Sequence, residues 1–282
     1  MNIQKRKKAR KVLLYLTLAI IAFCSLFPLL FCLSASLRTQ QDLSANLFPF
    51  TFKSLIPSEF TFSNYKTIFT DYHFIKPILN TVIVTGASII GGCLLSSIAA
   101  FAYSCFEFKG RKLFYLLIMF SFMIPFESIA IPLYGIVSKL KLIDTFAGMV
   151  LPVIADGMVI FLFIQFFKDI PTSLIEAARV DGASWPKIFF SIVMPISMPV
   201  FITASLMIFM NQWNAYIWPL LVARSDAVRT VQIAISAFSG ERTIQWTLIY
   251  AATVISVLIP VIVFIPLQKY YVEGITSGSV KG

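Results

Sequence analysis

Charge is the scarcest commodity in this sequence: only 13% of its 282 residues are Asp, Glu, Lys or Arg, against roughly 25% in a soluble domain. So few polar side chains cannot cover a water-facing globule of this length, so a soluble fold is excluded. Acids are rarer than bases, 13 against 23, which leaves a net charge of +10. There is one histidine, His73, in a polar stretch, so neither an H-E-x-x-H helix nor any other His cluster exists. Gly-Lys never occurs as a dipeptide, which removes the G-x-x-x-x-G-K-[ST] loop that cradles nucleotide phosphates. G-x-S-x-G is also missing. The four cysteines (Cys24, Cys32, Cys93, Cys105) form no C-x-x-C pair and read as small apolar residues without metal or redox chemistry.

What remains is hydrocarbon. Apolar residues make up 58% of the chain, 28 of them Phe, and mean hydropathy is +0.85. A membrane-crossing helix needs about 20 apolar residues. Six segments qualify: Val12–Leu33, Pro77–Tyr103, Leu113–Tyr134, Phe146–Phe167, Ile192–Pro219 and Trp246–Leu267. They are expected to be helical, because a helix satisfies its own backbone in lipid and the alternation of a barrel is missing. The first is expected to be a retained span and not a cleaved signal, since 26 uncharged residues run from Val12 to Leu37 and no A-x-A site follows. The predicted fold class is thus all-α integral membrane with six transmembrane helices, in one domain over 1–282.

Basic residues set the orientation. Segments 1–11, 104–112, 168–191 and 268–282 hold 14 Lys and Arg, against nine in the longer set 34–76, 135–145 and 220–245. The bias predicts both termini in the cytoplasm. It also explains the basic N-terminus, Lys5, Arg6, Lys7, Lys8, Arg10 and Lys11, as a topology signal and an attraction to anionic membrane lipid, with no nucleic-acid partner. Segment 34–76 is expected to be ordered and half-buried, and Pro195, Pro199 and Pro219 are expected to bend or break the fifth span.

The segment between spans four and five carries the most information. Ser173 and Glu176 fit an S-x-x-E capping box. Asp181-Gly182 would stop that helix, and Ser184 with Pro186 would start another. The prediction is a helix–turn–helix loop over 168–191. Glu176-Ala177-Ala178, Asp181-Gly182-Ala183, Phe189, Ile192, Pro195 and Pro199, in this spacing, resemble the EAA loop of ABC importer permeases. Further likeness to the carbohydrate branch, and within it to the maltose-type second permease, lies in Ser36-Leu37-Arg38-Thr39, Asn80-Thr81, Ile124-Pro125, Pro132-Leu133-Tyr134, Trp213-Asn214, Trp218-Pro219-Leu220 and the ending from Gln268 to Gly282. Ala215 departs from it, standing where that family often has Glu.

The resemblance implies a non-catalytic permease subunit of the bacterial or archaeal cell membrane. It would pair with a second, homologous permease. Two ATP-binding subunits would supply ATP and Mg chemistry, so this chain binds no cofactor or metal, and an extracytoplasmic solute-binding protein would deliver a carbohydrate, by expectation an oligosaccharide. ATPase coupling would fall to Glu176, Ala177, Ala178, Arg179, Asp181, Gly182 and Ala183 on the cytoplasmic side, with the tail 268–282 nearby or loose. For the solute path the residues themselves nominate acids within spans, Glu127 and Asp156. They also nominate polar and aromatic groups suited to a sugar's hydroxyls and ring faces: Asn80, Asn211, Trp213, Asn214, Tyr216 and Trp218. Each has an ordinary alternative: capping, interhelical bonding, or the interfacial aromatic belt. A permease for a non-sugar solute, such as a polyamine or phosphate ester, stays open. A membrane-embedded enzyme would need converging nucleophiles, acids or metal ligands, and none is visible.

Overall fold

A computed structural model describes residues 3–47, 49, 51–240 and 244–277. Among the described residues there are sixteen α-helices. They are α1 (Ile3–Ser36), α2 (Gln40–Asn46), α3 (Phe52–Leu55), α4 (Ser63–Thr70), α5 (Ile75–Cys105), α6 (Arg111–Met123), α7 (Phe126–Lys139) and α8 (Phe146–Val150). After them come α9 (Gly157–Lys168), α10 (Thr172–Val180), α11 (Trp185–Ile188), α12 (Met194–Ile196), α13 (Met198–Trp213), α14 (Ile217–Val222), α15 (Val231–Ser236) and α16 (Trp246–Ser277).

Three helices are long and apolar enough to cross a membrane unaided: α1 over Arg10–Ser36, α5, and α16 over Trp246–Lys269. Three bent pairs pass the same test: α6 with α7 (101°), Phe146–Val153 with α9 (47°), and Trp185–Ile196 with α13 (81°). Counting each pair as one, the six expected spans are there, but half are broken. Each break has a cause in its sequence. Pro125, two residues past the end of α6, forces Ile124 into extended backbone and cannot donate to the α6 ladder. Asp156-Gly157 restarts the chain after the turn at Leu151–Val153. In the fifth span, α12 ends at Ser197 with Pro195 before it and Pro199 after it. That span also differs from its expected bounds of Ile192–Pro219. It starts at Trp185, passes through a π-helical stretch at Phe189–Val193 and ends at Trp213, leaving Pro219 in the separate α14.

Two compact units form. The first comprises 1–74 and 235–258. In it, the described part of segment 34–74 folds, as expected for 34–76, around a buried cation. Arg38 is 1% exposed and pairs with Asp42 at 3.4 Å. The Asn64 amide donates to the carbonyls of Ser36 (2.8 Å) and Arg38 (2.7 Å), folding α4 back on the end of α1. Thr39 caps α2 by accepting from the Asp42 N–H.

The second unit comprises 75–234 and the described residues from 259 to 277. Its core is aromatic, with Phe163 and Phe201 edge to face at 4.7 Å and Phe101, Ile188, Phe189, Val193 and Ala204 around them. Lipid tails are as apolar as the helices, so burial of hydrocarbon does not drive helix association here and close approach does. Helix α5 supplies it with small residues. It packs against both α9 and α13, and at Gly92 a side chain would stand 2.9 Å from Cδ1 of Ile208. Of the tail expected at 268–282, residues 278–282 lie outside the described residues and α16 extends through Ser277.

Candidate coupling loop and solute path

The loop expected between the fourth and fifth spans has the predicted outline. Helix α10 is followed by a turn and then by α11, with Ser184 in the N-cap position and Pro186 in the first turn. The start differs from expectation. The helix begins at Thr172 after Pro171, with no side-chain cap, so Ser173 is its second residue and the capping box does not form. Pro171 is the physical reason: standing in the N-cap position with its φ fixed, it starts the helix two residues before the expected cap at Ser173.

The turn closes as a Schellman motif. Ala183 N–H donates to the Ala178 carbonyl (2.9 Å) and Gly182 N–H to that of Arg179 (3.0 Å), with Gly182 at φ +79°. The loop is also fixed to the core by a side-chain rivet. Arg179 donates to the Ala183 carbonyl at 2.8 Å while its guanidinium lies over the Trp185 ring at 4.8 Å. That ring in turn meets Phe106 (4.6 Å between centroids) and Phe101 (6.2 Å), at the end of α5. The loop is thus packed against the end of the second span.

Helix α10 has two faces. Ala178 is buried and Ile175 packs on the core. Ser173, Glu176, Ala177 and Val180 share the opposite face at helical spacing and are exposed. Ala177 and Ala178, neighbours in the sequence, thus point different ways. Val180, which sequence reasoning passed over, is 87% exposed. The signal available was an apolar β-branched residue on an otherwise polar face. Asp181 and Gly182 are exposed and Ala183 is half-buried.

The residues nominated for a solute path do not converge. Asn80 is buried and donates to the carbonyls of Ala227 (3.0 Å) and Arg229 (2.9 Å); next to it Thr81 Oγ1 accepts from Val231 N–H (2.9 Å). Together they stitch segment 227–231 to the start of α5. Trp213 is buried and stacked on Phe209 at 5.6 Å. Trp218 is buried, with its indole N–H on the Gly148 carbonyl (3.2 Å) and its ring against Phe126. Asp156 is half-buried and caps α9, accepting from Met158 N–H (2.8 Å) and Val159 N–H (3.4 Å). Asn214 ends α13 by donating to the Met210 carbonyl (2.8 Å) and is exposed, as are Asn211, Tyr216 and Glu127 in the first turn of α7.

A second tie lies at the same end of the unit as Asn80. Asp144, at φ +62°, accepts from the backbone N–H groups of Ser225 (2.8 Å) and Arg224 (2.9 Å). The hydrogen bonds from Ser225, then those from Arg224 and its positive charge, hold this carboxyl below the usual range. Arg224 also bonds the Tyr134 hydroxyl.

Residues 92–277 match the family described as binding-protein-dependent transport system inner membrane component. The arabinooligosaccharides transport system permease protein AraQ of Halalkalibacterium halodurans is 34% identical over 271 residues, 96% of each chain. The protein of the same name from Bacillus subtilis is 29% identical over 276. The sn-glycerol-3-phosphate transport system permease protein UgpE of Salmonella typhimurium is 33% identical over 260 residues, 89% of this chain and 91% of that one. A chain in the crystal structure of a bacterial ABC transporter involved in the import of the acidic polysaccharide alginate superposes with a TM-score of 0.83 at 23% identity, covering 96% of this chain and 99% of that chain, and shares its fold.

Proposed function

The chain belongs to the family of binding-protein-dependent transport inner membrane components, and from that premise we propose that it forms one half of the path of an ATP-driven sugar importer. As a member it is a multi-pass, non-catalytic membrane subunit that works with a solute-binding protein and an ATPase. The finer assignments are ours. The other half of the path is a second, homologous permease. Two ATPase subunits use ATP and Mg beneath the pair. Both termini lie in the cytoplasm, in keeping with the excess of Lys and Arg in 1–11, 104–112, 168–191 and 268–282.

The observation that carries the coupling role is the free face of α10. Glu176, Ala177 and Val180 stand exposed together, on a loop whose other side is riveted through Arg179 and Trp185 to α5. A surface of that kind transmits force from a partner it grips. The test is Glu176→Lys in the assembled transporter, reading solute uptake and ATPase stimulation together. Loss of both, with assembly intact, is the expected result; normal coupled uptake would remove this face from the interface.

The relatives carry different solutes by name, arabino-oligosaccharides and sn-glycerol-3-phosphate. An oligosaccharide is the better reading here. A phosphate ester in a low-dielectric path calls for a cation, and none of the residues nominated for the path in the sequence is Lys or Arg. The remaining polar groups, Asn211, Asn214 and Tyr216, suit hydroxyls. Binding of labelled oligosaccharides and of glycerol phosphate by the cognate solute-binding protein separates the two readings.

A further inference from the structure

We propose that the end of the bundle where α5 finishes, α6 begins and α9 finishes is a binding site for the phosphate of an anionic phospholipid headgroup, with Arg111 and Lys168 as its ligands. Tyr103 and Tyr115 stack there at 5.6 Å with their planes 25° apart. The Arg111 guanidinium stands 4.6 Å from the Tyr103 centroid. The Lys168 ammonium stands 5.7 Å from the same ring and 4.8 Å from that of Tyr115. Gln165 fixes the Tyr115 hydroxyl at 2.8 Å. Two like charges are thus held on one aromatic platform, and among the described residues neither is in an ion pair.

Ring faces orient a cation but leave most of its donors open. The helix dipoles help only one of the two. Lys168 ends α9, where positive charge is favoured, but Arg111 opens α6, where it is opposed. Glu107 and Asp169 stand in the adjoining loops, but among the described residues no carboxylate pairs with either cation, so both keep donors open to an anion.

A headgroup fits better than a free ion because of place. Arg111 is the first residue of α6, Lys168 the last of α9, and Tyr103 lies in the last turn of α5, so the platform marks the boundary of the apolar segments. Beyond it the surface of α6 is exposed and apolar at Phe114, Leu117 and Phe120, ready for acyl chains. Basic pockets between spanning helices at a membrane boundary are where anionic headgroups bind. The inference rests on the transport reading only in placing these helices in a bilayer.

The test uses the purified transporter with all its partners. Phosphatidylglycerol or phosphatidylcholine is titrated in and bound lipid counted by native mass spectrometry. Arg111→Gln and Lys168→Gln should each weaken phosphatidylglycerol binding about fivefold and leave phosphatidylcholine binding unchanged. Tyr103→Phe, which keeps the ring, should behave as the parent. Lys112→Gln, exposed and off the platform, is the control for general loss of charge. Parental phosphatidylglycerol binding in the double Arg111/Lys168 variant would overturn the site. So would an equal loss in Lys112→Gln, or complete displacement of the lipid by millimolar inorganic phosphate, which would point to a free anion. Solute uptake measured in the same preparations reports on the transport role independently, so either reading can fail alone.

Discussion

Substitution of Gly182 isolates the shape of the coupling loop from its chemistry. The residue sits at φ +79°, and a Cβ built on it meets nothing within 4 Å. Any cost of a side chain there is therefore conformational. For Ala the left-handed region costs about 1–2 kcal/mol, a factor of roughly 5–30 in the population of the closed turn. Asn, which enters that region more readily, should cost less, and Val, β-branched, more. The two hydrogen bonds that close the turn, from Ala183 and Gly182, should loosen in that order, and with them the presentation of Glu176 and Val180. The core is untouched, since Gly182 is exposed. The assay is solute carried per ATP hydrolysed in proteoliposomes with all partner subunits, beside the melting temperature of the complex. The expected order of coupling is parent, Gly182→Asn, Gly182→Ala, Gly182→Val, at nearly constant melting temperature. Parental coupling in Gly182→Val, or Gly182→Asn as damaging as Gly182→Val, would refute the argument.

Asn80→Asp keeps the size of the side chain but turns an acceptor toward the Ala227 and Arg229 carbonyls; losing two hydrogen bonds should cost about 2 kcal/mol, seen as a lower melting temperature. Asp156→Ala should cost about 1 kcal/mol through the uncapped α9, whereas Asp156→Asn should restore stability; uptake kinetics that still change in Asp156→Asn would reveal a solute contact beyond the cap. The Asp144 carboxyl is held below its usual range, so its tie to Ser225 and Arg224 contributes at any pH above the unfolded value of about 4 and is lost as pH falls through the folded one. The protection factors of the Arg224 and Ser225 amides, with the intrinsic pH dependence of exchange divided out, should therefore be raised at pH 7 and fall only under acid, and Asp144→Ala should show the low protection at every pH.

The sequence announced some parts of this molecule far more clearly than others. Spans were legible because hydrocarbon leaves the backbone one cheap solution, and the turn at Asp181-Gly182 because glycine after a helix has a specific geometric use. Pro195 and Pro199 announced the break in the fifth span, and Pro125 stands at that in the third. The break before Asp156 was hidden: an acid amid apolar residues reads as a possible contact, and its role as a cap depends on where the chain bends. Asn80 and Trp218 were ambiguous for a related reason. A buried amide or indole serves a solute or a distant backbone carbonyl equally well, and the partners it found lie 149 and 70 residues away. Val180 escaped notice because one exposed apolar residue carries meaning only once the faces of its helix are known.

The π-helical stretch at Phe189–Val193 makes one point of the fifth span unusually tolerant of a change in length. An α-helix turns about 100° per residue, and a π turn accommodates one residue more than an α turn. Deleting a single residue within 189–193 would let the stretch relax to ordinary α geometry with the downstream faces held, so Ile208 would keep its place against Gly92 of α5. The same deletion within α13 has no wide turn to absorb it and would swing everything downstream by about a quarter turn.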